Sequence, residues 1–410
     1  MIGLTRLVTG RRSPSDRYRY GSSEAPSRQR GDEERTVTRH RFADDDGHHP
    51  VVVWNITESC NLECAHCYYS AVLGRDPVAT SFDDIARVID DLAEARVPVL
   101  LLSGGEPLIR KDIHDIAAYA RSKGINPVIS TNGTIITRPE HARKLRESGV
   151  EYVGISVDGM AERHDAQRRK EGAFDRTRRG IELCREAGLR VSMRFTVTAA
   201  NVDDLPAVLN LAEEVGIDRF CLYHLVPSGR GKRFGDIDNA TRRRIIEHLC
   251  EQAPDRPYEI LTVDNPSDGP VIHQWALEHR PDIADEVLDR LRSQGGDGTG
   301  RRIVEIDHDG MLHPNQFWLS HTIGNVLEQP FNEIWNPDGD ASLDPLVAEL
   351  RRDEWPLEGA CGACNYASLC GGFRARANNA TGNLWAEDPS CPLTKSERAA
   401  DTTVATGASA

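Results

Sequence analysis

The chain has 410 residues, 39% of them apolar, and a formal net charge of -14. That length buries a large core and fits two domains, while the acidic balance excludes the concentrated basic face that nucleic acid requires. No apolar run is long enough for a membrane span and the start lacks a secretory apolar core, so the cytoplasm is the expected compartment.

Charge is unevenly spread, since residues 1–40 carry nine Arg against five acidic residues. Rich in Arg, Ser and Pro and without periodicity, residues 1–49 read as a flexible basic arm. From residue 50 short apolar runs alternate with amphipathic stretches, the signature of parallel βα units. VVVWN (51–55) is the first strand. In SFDDIARVIDDLAEARV, Ser81 reads as an N-cap, and Ile85, Val88, Ile89 and Leu92 recur at helical spacing. PVLLL, NPVIS, YVGISV, RVSMRFTV and RFCLYHL supply five more strands, with helices between them. The expected fold is α/β, a partial (β/α)6 TIM-like barrel over 50–235, whose chemistry belongs at the C-terminal strand ends.

Two of those ends carry motifs. After the first strand comes CNLECAHC, with Cys60, Cys64 and Cys67 spaced C-x3-C-x2-C. Three thiolates on a four-iron cubane leave one iron open to an exogenous ligand, whereas a partial zinc site would lack the usual fourth ligand. After the second strand comes SGGEP, where Gly104 and Gly105 allow close backbone approach and Glu106 offers a carboxylate to an ammonium group. Polar residues follow other strands: Ser130, Thr131 and Asn132, then Ser156 and Asp158, with Arg194 inside the fifth. VPSGRGKR after the sixth strand places Arg230, Lys232 and Arg233 as a basic lip or a solvated loop.

Beyond the barrel, residues 236–300 read as a helical linker, with helices around 239–252 and 271–293. Residues 302–318 read as a hairpin turning at Asp309 and Gly310. Cys361, Cys364, Cys370 and Cys391 follow as C-x2-C-x5-C-x20-C. Four thiolates hold either one [4Fe-4S] cluster or a structural zinc. A compact α+β domain over 301–395 and a disordered tail over 396–410 complete the expectation. Cys184, Cys221 and Cys250, each inside a helix-like or strand-like run, read as core.

The two N-terminal motifs in this order resemble the radical S-adenosylmethionine (radical SAM) enzymes, and CGACNYASLCGG with the preceding hairpin resembles their SPASM or twitch extension. The resemblance implies that Cys60, Cys64 and Cys67 hold a [4Fe-4S] cluster whose open iron chelates S-adenosylmethionine. It implies further that Gly104, Gly105, Glu106 and Pro107 hold the methionine amino group, with Thr131 and Asn132 beside them, and that His66 lies against adenine. Ser156 and Asp158 would bind the ribose and Arg194 the carboxylate. The four C-terminal cysteines would hold one auxiliary [4Fe-4S] cluster, because no cysteine lies between 251 and 360 to serve a second.

Runs at both ends and between them, MIGLTRLVTG, VPVLLLSGGEPL, FCLYHLVPSGRG, LTVDN and LWAEDPSC, resemble the tetrapyrrole-modifying branch over almost the whole chain. That resemblance implies an iron-containing tetrapyrrole substrate, 12,18-didecarboxysiroheme, losing two acetate side chains through a 5'-deoxyadenosyl radical to give iron-coproporphyrin III. The related reaction on propionate side chains, towards haem d1, is the alternative. A ferredoxin or flavodoxin would supply single electrons, and His224, Arg230 and His313 would approach the substrate. A peptide maturase shares both cysteine groups but usually carries a peptide-recognition module, for which residues 1–49 are too short. A non-enzymatic iron-sulfur electron carrier has no need of SGGEP.

Overall fold

The computed structural model describes residues 1–14, 16, 49–74, 80–336 and 343–399. The chain forms two compact units, one of Arg28–Asp236 and Gly298–Arg352, the other of Met1–Ser27, Ile237–Asp297 and Asp353–Ala410.

The first unit is built on a sheet whose centre is the six expected strands: β1 (Val51–Asn55), β2 (Val99–Ser103), β3 (Asn126–Thr131), β4 (Tyr152–Ser156), β5 (Arg190–Val197) and β6 (Arg219–His224). They run parallel in sequence order, and helices connect them. Alternation sorts their side chains into two faces. Val52, Trp54, Leu100, Leu102, Ile129, Val153, Ile155, Met193, Phe195, Phe220 and Leu222 are each 1% exposed or less. Each such side chain contributes about 1.5–3 kcal/mol of burial. Ile155 closes on the helix side, where a Cβ at Gly133 would lie 2.8 Å from its Cγ2 and 3.6 Å from Thr177 of the helix Ala173–Glu186. The opposite face is polar and half-buried, with Ser130, Ser156, Arg194, Thr196 and Tyr223. A strand face that is polar and partly open is where a ligand fits.

Between β1 and β2, the helix Phe82–Glu94 starts at the expected cap: Ser81 accepts from the Asp84 amide at 3.2 Å. Its stripe of Ile85, Val88, Ile89 and Leu92 is fully buried. The hairpin β7 (Ile303–Ile306) and β8 (Met311–His313) forms as read, and β9 (Gly324–Asn325) adds to it. The sequence grouped this hairpin with the C-terminal cysteines, but β7 pairs parallel with β1 and extends the barrel sheet. Four-residue strands carry no sign of which sheet they join.

The second unit contains the helices Asn239–Gln252, Asp268–His279 and Ala284–Gln294, and the strand Glu259–Val263. The single helix expected over 271–293 is two, divided at Pro281, which lacks the amide to continue the first. The flexible arm expected over 1–49 is corrected at its start. Ile2 bridges Thr262, donating at 2.7 Å and accepting at 3.0 Å. The helix Leu4–Thr9 follows, with Leu4, Leu7 and Val8 at most 3% exposed. Thr5 Oγ1 accepts from the Ile260 amide at 2.8 Å. Most of the remaining arm, residues 15 and 17–48, lies outside the described residues. At the other end Lys395–Arg398 forms a turn of helix closed by a Thr394/Glu397 capping box, where a disordered tail was expected, and residues 400–410 lie outside the described residues. Cys184, Cys221 and Cys250 are buried as expected of core. Among the described residues no helix is long and apolar enough to cross a membrane.

Candidate active site

β1 delivers the chain into the three-cysteine loop at the strand ends. Ser59–Cys60 pairs with Val72–Leu73, and the Val72 amide donates to Glu58 O at 2.8 Å, so the loop is tied at its neck. Cys60, Leu62, Cys64 and Ala71 pack into one buried cluster with Cys67 against it. Cys60 Sγ accepts from the Leu62 amide at 3.4 Å, and Cys64 Sγ from Arg168 Nη1 at 3.5 Å. Burial, and after it the Glu106 carboxylate, pushes the Cys60 thiol up to about 12.

Of the expected basic lip, Lys232 and Arg233 are exposed, but Arg230 is corrected by the structure. Arg230 turns inward on the 3-10 turn Gly229–Arg233, and its amide donates to Cys67 O at 3.0 Å. Its guanidinium donates to Cys64 O at 2.9 Å and Ala71 O at 2.8 Å. Gly229 sits so close that a Cβ would lie 2.2 Å from Tyr68 O. Arg230 therefore clamps three carbonyls of the cysteine loop, and those donors are not presented to a substrate.

SGGEP lies directly against that loop. The Gly105 amide donates to Thr57 O at 2.7 Å and the Glu106 amide to Ser59 O at 2.8 Å. A Cβ would fall 2.3 Å from Thr57 O at Gly104, whose φ is +119°, and 2.1 Å from Ser59 O at Gly105. Both glycines are demanded by contact with the residues leading into Cys60. Glu106 is fully buried. Its carboxylate accepts from the Leu108 amide at 3.2 Å, Thr131 Oγ1 at 2.7 Å and the Asn132 amide at 2.8 Å. Burial outweighs these three donors and pushes the acid up to about 7. A carboxylate has about four acceptor sites, so one stays open to an ammonium group. Pro107 opens the short turn that follows, and Asn132 Nδ2 donates to Asn61 Oδ1 at 2.8 Å, joining the end of β3 to the cysteine loop.

After β4 the structure assembles a group that the sequence did not reveal. Arg168, on the helix Ala161–Arg168, is buried and pairs with Asp158 Oδ2 at 2.5 Å, and His66 Nε2 approaches the same oxygen at 3.1 Å. Asp158 Oδ1 accepts from the Thr196 amide at 3.2 Å. Although burial opposes it, the Arg168 and His66 charges hold this carboxyl well below the usual range. Asp158 is thus committed to protein partners, which corrects its assignment to the ribose. His164 Nδ1 accepts from the Asp158 amide at 3.1 Å, and burial, then the Arg168 charge, lowers this histidine to about 4. Ser156 remains half-buried, in register with Arg194. Arg194 crosses β4 over Gly154, where a Cβ would lie 2.1 Å from its Nε, and donates to Ser130 Oγ at 2.5 Å. His66 Nδ1, Arg168 Nε, Arg194 Nε and both amide atoms of Gln167 are buried without a hydrogen-bond partner. Such orphaned donors around one loop fit a polar, charged cofactor.

Neither histidine assigned to the substrate is available. His224 shares the face of Phe220 and Leu222, which is buried throughout. His313 has Nδ1 2.7 Å from His321 O and Nε2 3.5 Å from Asp307 Oδ2. A second unforeseen chain runs from Tyr68, which donates to Asn55 Oδ1 at 2.9 Å, through Asn55 Nδ2 to Glu305 Oε1 at 2.6 Å. Glu305 is fully buried, and burial, then Asp307, raises its pKa well above the ordinary range.

In the other unit, Cys361, Cys364, Cys370 and Cys391 line one cavity. Cys361 Sγ accepts from the Asp388 amide at 3.4 Å and Cys370 Sγ from the Gly372 amide at 3.3 Å. Arg376 pairs with buried Asp388 at 3.1 Å and anchors the segment before Cys391. Four cysteines lining one cavity match the number of thiolates that one [4Fe-4S] cluster takes.

A six-strand βα barrel with three cysteines at the strand ends, in a chain that also carries a four-cysteine site, defines a radical SAM enzyme with an auxiliary cluster. The chain belongs to the radical SAM superfamily, whose model matches residues 54–212, and a SPASM iron-sulfur cluster-binding domain matches residues 298–365. It is 42% identical to the Fe-coproporphyrin III synthase of Methanosarcina barkeri, over 97% of this chain and 98% of that protein. It is 39% identical to the pre-heme d1 synthase of Dinoroseobacter shibae, over 85% of this chain and 87% of that one. The crystal structure of Streptococcus suis SuiB bound to S-adenosylmethionine shares the fold, with a TM-score of 0.64, 18% identity, and coverage of 84% of this chain and 78% of that one. Family membership brings S-adenosylmethionine and [4Fe-4S] clusters as cofactors, and the donors around the two cysteine groups fit them.

Proposed function

We propose that this enzyme removes the two acetate side chains of 12,18-didecarboxysiroheme to give iron-coproporphyrin III. The observation carrying this reading is the extent of the likeness. The likeness to Fe-coproporphyrin III synthase spans 97% of the chain, against 85% for pre-heme d1 synthase. Two runs that favour the deacetylase, MIGLTRLVTG and TVDN, meet in the fold, where Ile2 bridges Thr262.

Cys60, Cys64 and Cys67 would hold a [4Fe-4S] cluster on a loop clamped by Arg230, and that cluster, when bound, would supply the electron for reductive cleavage of S-adenosylmethionine and so the radical chemistry. Glu106 takes the methionine ammonium at its open acceptor site, and Arg194, with an unpartnered Nε, takes the carboxylate. Thr131 and Asn132 fix Glu106, and Ser156 remains for the ribose. The polar face of β3 to β6 would take the tetrapyrrole. Cys361, Cys364, Cys370 and Cys391 would hold an auxiliary cluster able to carry single electrons, and a cytoplasmic ferredoxin or flavodoxin would be the reductant.

An anaerobic reaction with dithionite, S-adenosylmethionine and 12,18-didecarboxysiroheme tests this by product mass. Loss of two acetate groups is expected. An unchanged tetrapyrrole, with propionate loss from the haem d1 precursor instead, would overturn the assignment in favour of the related reaction.

A further inference from the structure

The four-cysteine cavity is lined by one charged side chain among the described residues, that of Arg398. Its side chain shares that cavity with Cys361, Cys364, Cys370 and Cys391. Three features of the second unit put it there. The Asn365 amide, next to Cys364, donates to Arg398 O at 2.8 Å. The Thr394/Glu397 capping box closes the turn Lys395–Arg398. Arg243 holds Glu397 at 2.6 Å from the helix Asn239–Gln252. The segment after the last cysteine is thus folded so that its final basic residue returns to the sulfurs. Of the two arginines between Cys370 and Cys391, Arg376 pairs with Asp388, and Arg374 Nη1 donates to Leu384 O at 2.9 Å and Ala386 O at 2.8 Å.

We infer that Arg398 is a positioning residue that raises the reduction potential of the auxiliary cluster and biases it toward accepting electrons. This rests on the reading that the four cysteines hold an iron-sulfur cluster. The potential of such a cluster follows the charge around it, and Arg398 brings a positive charge to the cavity that the four cysteines line. A cation there stabilises the more negative, reduced state over the oxidised one. Because Arg398 is half-exposed, solvent moderates the effect.

The test uses the full chain with Cys60, Cys64 and Cys67 changed to Ala, so that only the auxiliary cluster remains. Its midpoint potential is followed by electron paramagnetic resonance during anaerobic redox titration, alongside iron and zinc per chain. Arg398→Gln is expected to keep its iron and to show a reduced-to-oxidised ratio about tenfold lower at fixed potential, equivalent to 59 mV for one electron. Arg398→Lys, which keeps the charge, is expected to recover most of that shift. Equal midpoints in all three proteins at full iron would overturn the inference. Zinc in place of iron in the parent would overturn the cluster reading and the inference with it, and the metal analysis distinguishes this failure from the first.

Discussion

Replacing Arg168 with Met leaves the Asp158 carboxylate buried beside the cysteine loop without its guanidinium partner. Asp158 is fully buried, and Arg168 sits 2.5 Å from it while also donating to Cys64 Sγ at 3.5 Å. Breaking a buried pair by removing one partner costs about 3–5 kcal/mol, because the survivor keeps its desolvation penalty. Removing both charges, as in Asp158→Asn with Arg168→Met, leaves no uncompensated ion and is expected to cost less than either single change. Urea unfolding of the metal-free chain, followed by circular dichroism, measures the cycle. The expected coupling is about 3 kcal/mol or more, and the Arg168→Met protein should retain less iron at the three-cysteine loop. The sign of the pH dependence follows from the depressed Asp158 pKa. Stability from the ionised carboxylate is fully present above about pH 4 and is lost as the pH falls through the native value. Wild type and Asp158→Asn should therefore converge on acidification. Single losses that add within about 0.5 kcal/mol would refute the pairing argument.

Glu106→Gln puts an amide where three donors already converge, and equilibrium dialysis should show S-adenosylmethionine binding weakened by about tenfold or more, the loss of one charge-assisted hydrogen bond. In the wild type, affinity should rise between pH 6 and pH 8 as Glu106, pushed to about 7, ionises; a flat profile would remove it from the ammonium site. Gly105→Ala drives a Cβ to 2.1 Å from Ser59 O and should lower iron at the three-cysteine loop, whereas Gly235→Ala, with its nearest atom at 3.5 Å, should not. Leu4→Ala empties a fully buried site at the chain's start and is expected to cost about 2–5 kcal/mol. Hydrogen exchange at Ile260 and Thr262, whose amides bond to Thr5 and Ile2, should quicken in that variant; unchanged exchange would show that the opening helix does not hold this strand.

What the sequence made legible follows its periods and spacings. The six strands announced themselves as apolar runs because one face is wholly buried, and both cysteine groups stand out by spacing alone. Arg168 was hidden because AERHDAQR reads as a solvated helix, yet His164, Gln167 and Arg168 on it are buried. A salt bridge formed across a fold leaves no mark in local composition. Arg230 misled for the opposite reason, since a Gly-rich basic turn looks exposed until its neighbours are in place. His224 was misassigned by its location at a strand end, although the period of two that identified β6 also puts it on the closed face. The opening helix spans six residues, too few to repeat a helical period, and its partners lie some 250 residues later.

The central claim is radical chemistry at the three-cysteine loop acting on a tetrapyrrole side chain. It is tested most directly by counting 5'-deoxyadenosine against acetate released from 12,18-didecarboxysiroheme in one anaerobic time course. The account predicts that the two rise together in a one-to-one ratio, and that neither forms when Cys60, Cys64 and Cys67 are changed to Ala. Acetate released without deoxyadenosine, or by the cysteine-free variant, would contradict it.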